Sequence, residues 1–315
     1  MSRRERIVET LQAGQARLIA AFGALDDTAT FGFHSWERPG GGGGTARVLE
    51  GGSILERAGV NFSAVYGDAV PPSLAAAHPG SEGKPYFATG LSMVFHPRNP
   101  YAPAFHANYR YFEVGREDEQ SDVWWFGGGA DMTPNYPFAE DATHFHRTLK
   151  AQCDRHPVGD YRALKESCDR YFYIKHRSEM RGVGGIFFDE LSPVGAGDFG
   201  TDFAFVRDGV KTLEDAYLPV LKKRKDTPYG ERERRWQLMR RGRYAEFNLV
   251  YDRGTTFGLQ TGGHIEAILM SLPPYAHWAF DYQPEAGSPE AEMLAFLQPR
   301  DWVSAEMDSR RAVSE

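Results

Sequence analysis

The sequence is short of cysteine, of long apolar runs and of excess positive charge, and each shortage removes a class of protein. Two cysteines, Cys153 and Cys168, occur in 315 residues. They form no Cys-x-x-Cys pair and fall in segments that read as helices, so buried, reduced thiols are expected rather than a disulfide framework or redox motif. No apolar run approaches the ~18 residues of a membrane-crossing helix. Residues Met1–Asp26 lack the continuous apolar core of a signal peptide, and Glu5 and Glu9 do not suit a transit peptide. Ile7, Val8, Leu11, Leu18, Ile19 and Phe22 recur at helical spacing instead, which marks an N-terminal helical segment within residues 1–30. A cytoplasmic enzyme is the expectation. The formal net charge of -7 argues against nucleic acid as the partner. It leaves room for a small anion, because arginine is locally dense at Arg232–Arg235 and Arg240–Arg243.

A phosphate-binding loop is also missing. Gly40–Gly44 is a run of glycines, but Thr45-Ala46-Arg47 follows where such a loop needs Gly-Lys-Ser/Thr. A flexible loop entering a strand is the reading. No repeat, linker or shift in composition divides the chain, so residues 1–315 are expected to form one domain.

What is abundant is aromatic residues, 13% of the chain, which favour a substantial sheet. Strand patterns run over Ala46–Glu50, Ser53–Tyr66, Phe87–His96, Phe105–Val114 and Val123–Phe126. The period then changes. Phe138, Ala142, Phe145 and Leu149 mark one helix, and Tyr161–Met180, Phe205–Lys225 and Glu231–Arg241 mark others. Val183–Phe188, Tyr244–Tyr251 and Ile265–Leu272 read as strands, and Ser288-Pro289-Glu290 starts a last helix reaching about Leu297. Strands in a run, then helices, then strands predict an α+β fold with a large, mainly antiparallel sheet.

The most telling stretch is His96–Arg110. Its second half alternates, which puts His106, Asn108 and Arg110 on one strand face and Phe105, Ala107, Tyr109 and Tyr111 on the other. Leaving such polar groups unpaired in a dry core costs about 1–3 kcal/mol each, so that face is expected to meet a polar, anionic ligand. Ser92 shares a face with His96 on the preceding strand. His96, His106, His146 and His176 stand beside structure that could aim them at one place. Two readings stand: a transition-metal cluster, or histidines that are separately hydrogen-bonded, and the spacing favours the second. In Trp124–Pro134, aromatic bulk runs into Gly127-Gly128-Gly129 and then Asp131. An Asp set against apolar neighbours would be a stronger base than usual, and a turn-forming or helix-capping Asp is the alternative. Gly254–Glu266 is a second glycine-rich loop, read as a connection feeding a strand.

Taken together, Gly52–Ser63, His96–Arg110, Trp124–Pro134, Tyr171–Phe188, Tyr229–Arg234, Gly242–Gly263 and Ser271–Pro274 resemble oxygen-dependent coproporphyrinogen III oxidases, in order and with small gaps. The resemblance implies a flat antiparallel sheet flanked by helices on both faces, and a homodimer. It implies haem biosynthesis: oxidative decarboxylation of the ring A and ring B propionates of coproporphyrinogen III to vinyl groups, giving protoporphyrinogen IX. Dioxygen is the co-substrate and no organic cofactor is required. It implies catalytic roles for His106 as proton donor, Asp131 as the acid holding pyrrole N–H groups, and Arg110. Ser92, Asn108, Tyr109, Arg110, Gly262, Gly263 and the position of His264 would bind substrate. His96, His106, His146 and His176 would hold a divalent metal, with manganese the family suggestion. In the expected mechanism Asp131 polarises a pyrrole N–H, dioxygen adds to that ring, and the peroxide removes hydrogen from the propionate as carbon dioxide leaves. One departure is visible: the resemblance implies Arg where this chain has His264, and three outcomes stand for that contact: it is made by the backbone N–H, taken over by Arg243 or Arg253, or lost. The rivals are another histidine-metal oxygenase and a non-catalytic tetrapyrrole-binding protein on the same scaffold.

Overall fold

The computed structural model describes residues 1–116, 123–191, 198–260 and 262–304. In chain order these form α1 (Arg3–Gly23), β1 (Gly32–Glu37), β2 (Gly42–Glu50), β3 (Leu55–Gly67), α2 (Pro72–Ala77), β4 (Tyr86–Pro97), β5 (Ala104–Val114), β6 (Trp124–Thr133), α3 (Ala139–Cys153) and α4 (Tyr161–Tyr171). There follow β7 (Tyr173–Ile174), a 3-10 turn (Lys175–Arg177), β8 (Glu179–Met180), β9 (Gly184–Phe188), α5 (Phe199–Arg224), α6 (Glu231–Val250), α7 (Arg253–Gln260), α8 (Ile265–Leu269) and α9 (Pro289–Phe296). The fold is α+β, as the patterning predicts.

The main sheet has seven strands in the order β1-β2-β3-β4-β5-β6-β9, and every pairing is antiparallel. One face is dry. Phe87, Leu91, Met93, Phe95, Phe105, Ala107, Tyr109 and Tyr111 are all buried there, under α1 and α5. Helix α1 forms because Ser2 and Glu5 close a capping box and because Ile7, Leu11, Leu18 and Phe22 make one apolar stripe. The other face is covered only in part. A cluster of Tyr86, Phe112 and Trp125 with Ala75 of α2 closes one end of the strands. Phe247 of α6 packs with Cys168, Phe172 and Ile174, and Met270, just past α8, with Ala46 and Ala267.

Several expectations change. Strand β1 was not anticipated, and pairing with it draws Gly42–Gly44 into β2, so only Gly40 and Gly41 of the five glycines remain in the turn. Strand β6 does not stop at Phe126 but runs through the three glycines and Asp131 to Thr133. The helix expected over Tyr161–Met180 ends at Tyr171, and a small hairpin follows. Tyr244–Tyr251 and Ile265–Leu272 are not strands: the first completes α6 and the second contains α8. Helix α6 hides its period because its buried face carries Gln237, Arg240, Arg241 and Asn248 among the apolar side chains. The two cysteines are free and buried, as expected. Among the described residues, no helix is long and apolar enough to cross a membrane.

Candidate active site

Antiparallel register lines up the partly covered face in rungs. Gly129, Asn108, Ser92, Asn61 and Ala46 are successive cross-strand partners from β6 to β2. The next rung is Gly127, Arg110, Gly90, Ser63, Gly44 and Trp36. On a third rung Asp131 faces His106. The floor is therefore polar or nearly bare, and about 19 Å of sheet separates Arg110 on β5 from Trp36 on β1 at normal strand spacing. The expected grouping of His106, Asn108 and Arg110 is found, with Ser92 beside them.

His106 is tied to Asp131. Its Nδ1 lies 2.8 Å from Asp131 Oδ1, so with Nδ1 protonated the ring presents Nε2 to the open face. The imidazole is 24% exposed while the Asp131 side chain is 2% exposed. The second oxygen, Oδ2, accepts from Arg181 Nη2 at 2.6 Å. Arg181 is buried, donates from Nη1 to Asn248 Oδ1 at 2.8 Å, and packs its guanidinium against the rings of Phe172, Tyr244 and Phe247. Burial by itself pushes the Asp131 carboxyl up, but the Arg181 charge and the His106 contact outweigh it and hold the carboxyl below its usual range. The sequence expectation of a stronger base is corrected: the neighbours include a guanidinium, and the carboxylate is stabilised as an anion. Both oxygens are engaged by protein groups, so Asp131 orients His106 rather than opening onto the face.

Arg110 is positioned by an absence. A Cβ on Gly127 would lie 2.6 Å from Arg110 Nε and 2.7 Å from the Asp189 carbonyl oxygen, so only glycine lets the guanidinium lie across β6. Gly129 has a φ of 149° and would drive a Cβ to 2.1 Å from the Ile186 carbonyl oxygen, so glycine is required there too. Arg110 Nη2 donates to Asp189 Oδ1 at 2.5 Å, and Arg253 donates to Asp189 Oδ2. Arg253 opens α7, whose start is fixed by Asp252 accepting from the Thr255 N–H and hydroxyl and from the Tyr171 hydroxyl.

The remaining expected residues are scattered. The Tyr109 ring is fully buried on the opposite face, against Phe188 and beside Gly209, so only its backbone borders the site. Gly262, Gly263 and His264 lie between α7 and α8, and Thr261 of the same motif is outside the described residues. His264 caps α8, its Nδ1 accepting from the Ala267 N–H at 3.2 Å, and its ring stacks on Trp36 with centroids 5.5 Å apart. It therefore sits at the β1 end of the floor. Arg253 stands with Arg110, and Arg243 pairs with Glu246.

The proposed metal ligands do not fit a common ion. His96 Nε2 is 3.0 Å from the Ser271 carbonyl oxygen. His146 lies between the Tyr161 hydroxyl and the Val183 carbonyl. His176 is not on a helix but in the 3-10 turn, between the Tyr251 hydroxyl and Glu246. Each imidazole has its own partners on different elements. Among the described residues, no three His, Cys, Asp or Glu side chains come together as a metal site.

A family model described as coproporphyrinogen III oxidase matches residues 6–302. The chain belongs to the coproporphyrinogen III oxidase family. Membership makes it an oxidoreductase of haem biosynthesis with coproporphyrinogen III as its implied substrate, a broad macrocycle rimmed by carboxylates. An extended sheet face with arginines at one margin suits such a molecule in size and charge. Sequence reasoning missed Arg181, Asn248, Asp189, Asp252 and Asn61 at this site. Asp189 carried one usable signal, an acid directly after the apolar strand Ile186-Phe187-Phe188.

Proposed function

We propose that the protein is the oxygen-dependent enzyme, converting the ring A and ring B propionates of coproporphyrinogen III to vinyl groups and giving protoporphyrinogen IX. Each propionate, with one dioxygen and one proton, yields a vinyl group, carbon dioxide and hydrogen peroxide. The substrate supplies both electrons, so no organic cofactor is required. The observation that carries this reading is His106 held on a buried, anionic Asp131 beside the half-exposed Arg110. His106 Nε2 delivers or accepts the proton at the reacting ring. Arg110 binds a carboxylate, Ser92 and Asn108 line the floor beneath the macrocycle, and Gly262, Gly263 and His264 bound its far side. Asp131 acts through His106, a change from the expectation that it holds the pyrrole N–H groups itself.

Exposed Leu249, Val250, Phe257, Leu259 and Ile265 on α6 to α8 support a homodimer. A cytoplasmic location fits the same reading. His96, His106, His146 and His176 each have separate partners on different elements, and the proton and carboxylate roles fall to His106 and Arg110.

The deciding experiment is incubation of metal-stripped protein with coproporphyrinogen III, with and without dioxygen, following vinyl product. Vinyl product only in the aerobic sample is expected. Equal product without dioxygen, or none in either sample, would overturn the reading.

A further inference from the structure

The site contains two aspartates held by arginine, and their settings are of opposite character. Asp131 and Arg181 are both 2% exposed and locked. Asp189 stands at the margin, where Arg110 is 39%, Asp189 41% and Arg253 65% exposed. Solvated ion pairs of this kind add little to folding stability, so this bridge opens at low cost. Its geometry is nevertheless well defined. The Leu191 N–H donates to the Phe126 carbonyl at 2.8 Å and fixes the chain beyond Asp189. Gly127 beds the Arg110 guanidinium, and the Tyr171 ring lies 5.0 Å beneath that of Arg253. Two guanidiniums share one carboxylate, which leaves a net positive charge facing the open floor.

We propose that Asp189 is an internal counter-carboxylate: a substrate propionate displaces it from Arg110, and it takes Arg110 back once the carboxylate of that propionate has left as carbon dioxide. The inference rests on the decarboxylase reading above and adds to it a means of turnover between two chemically equivalent steps. Before reaction, the propionate and Asp189 compete for one guanidinium, and the macrocycle's other contacts favour the propionate. After reaction the vinyl group carries no charge, and Asp189 is the best remaining partner for Arg110. The spent edge is then released, and the next propionate can compete for the same place. Asp189 is thus a positioning residue and takes no part in bond making.

The test uses Asp189→Asn, which keeps the shape and removes the charge. Its probe is oxidised coproporphyrin III, a stable tetracarboxylate, with the tetramethyl ester as the uncharged control. Tetracarboxylate binding should tighten about 2- to 5-fold, the size set by an exposed ion pair, while ester binding stays unchanged. The KM and kcat should fall together, and the species with one vinyl group should dissociate more slowly. The tightening should vanish in an Arg110→Gln background. Unchanged or weaker tetracarboxylate binding by Asp189→Asn, or equal tightening for acid and ester, would overturn the proposal. Wild-type turnover separates the two levels: no vinyl product from wild type removes the decarboxylase reading, while normal wild-type turnover with unaltered Asp189→Asn binding removes this inference alone.

Discussion

His106 and Asp131 are direct cross-strand partners on β5 and β6, and their side chains meet at 2.8 Å on the partly covered face of the sheet. The pleat alone brings them together, and Arg181 then fixes the carboxylate from behind. Asp131→Asn keeps a hydrogen-bonding side chain but no longer selects the imidazole tautomer. It also leaves the buried Arg181 without its anion. We expect kcat to fall at least about 100-fold, and stability to fall by about 3 kcal/mol or more. Steady-state kinetics and urea unfolding check the two effects separately.

Gly127→Ala tests how Arg110 is placed. The added methyl meets Arg110 Nε at 2.6 Å and the Asp189 carbonyl oxygen at 2.7 Å. The guanidinium must lift from β6, so KM for the substrate should rise about 10-fold, roughly the worth of one charge-assisted contact, while kcat changes less. An unchanged KM would show that Arg110 does not need this bed.

Acid should destabilise the protein through two histidines remote from any surface. Burial pushes His96 down to about 3, helped by Arg241, and burial pushes His146 to about 3 as well. In the unfolded chain both titrate near 6.5. Between those values the unfolded state binds protons that the folded state refuses, so stability rises with pH in that window. The contribution is full above about pH 6.5 and is lost as pH falls toward 3, by up to about 1.4 kcal/mol per pH unit for each histidine. Urea midpoints at a series of pH values should show this slope, and His146→Gln should make it shallower.

His264→Arg introduces the arginine that the family resemblance implies, at a place where this chain uses the imidazole as a helix cap. Loss of the Nδ1 acceptor for the Ala267 N–H should cost about 0.5–1 kcal/mol, seen as a small drop in Tm. Its effect on KM across pH reports the site role. A profile flattened by Arg indicates direct contact with substrate, and superimposable profiles indicate that His264 serves α8 and Trp36 alone.

The sheet was legible from β2 to β6 because alternation survives wherever one face is dry and the other polar. The same pattern identified His106, Asn108 and Arg110 as neighbours, whereas it placed Ser92 only with His96, and the pairing of Ser92 with Asn108 came from the strand register. What escaped was set by partners far along the chain. Strand β1 is largely exposed, and its two aromatics, Phe33 and Trp36, are three residues apart and so fall on opposite faces, which leaves no alternating signal. The helical end of α6 was misread because Tyr244, Phe247, Val250 and Tyr251 are residue types that favour strands, while the helix reading up to Arg241 held. Arg181 reads as an ordinary surface residue until Phe172, Tyr244 and Phe247 are seen to enclose it. The basicity of Asp131 was misjudged for the same reason, because the charge that settles it is 50 residues away.

The pleat that builds the site also ties it to the core. His106, Asn108 and Arg110 alternate with Phe105, Ala107 and Tyr109 along one strand, and the sheet continues on both sides of it. Deleting a single residue inside β5 would rotate the remaining side chains by half a turn, sending guanidinium and imidazole into the hydrocarbon layer and aromatic rings into water. Point changes can tune this strand, but insertions and deletions cannot pass through it. Length variation among descendants of this chain should therefore collect in the connections and leave the residue count of β5 fixed.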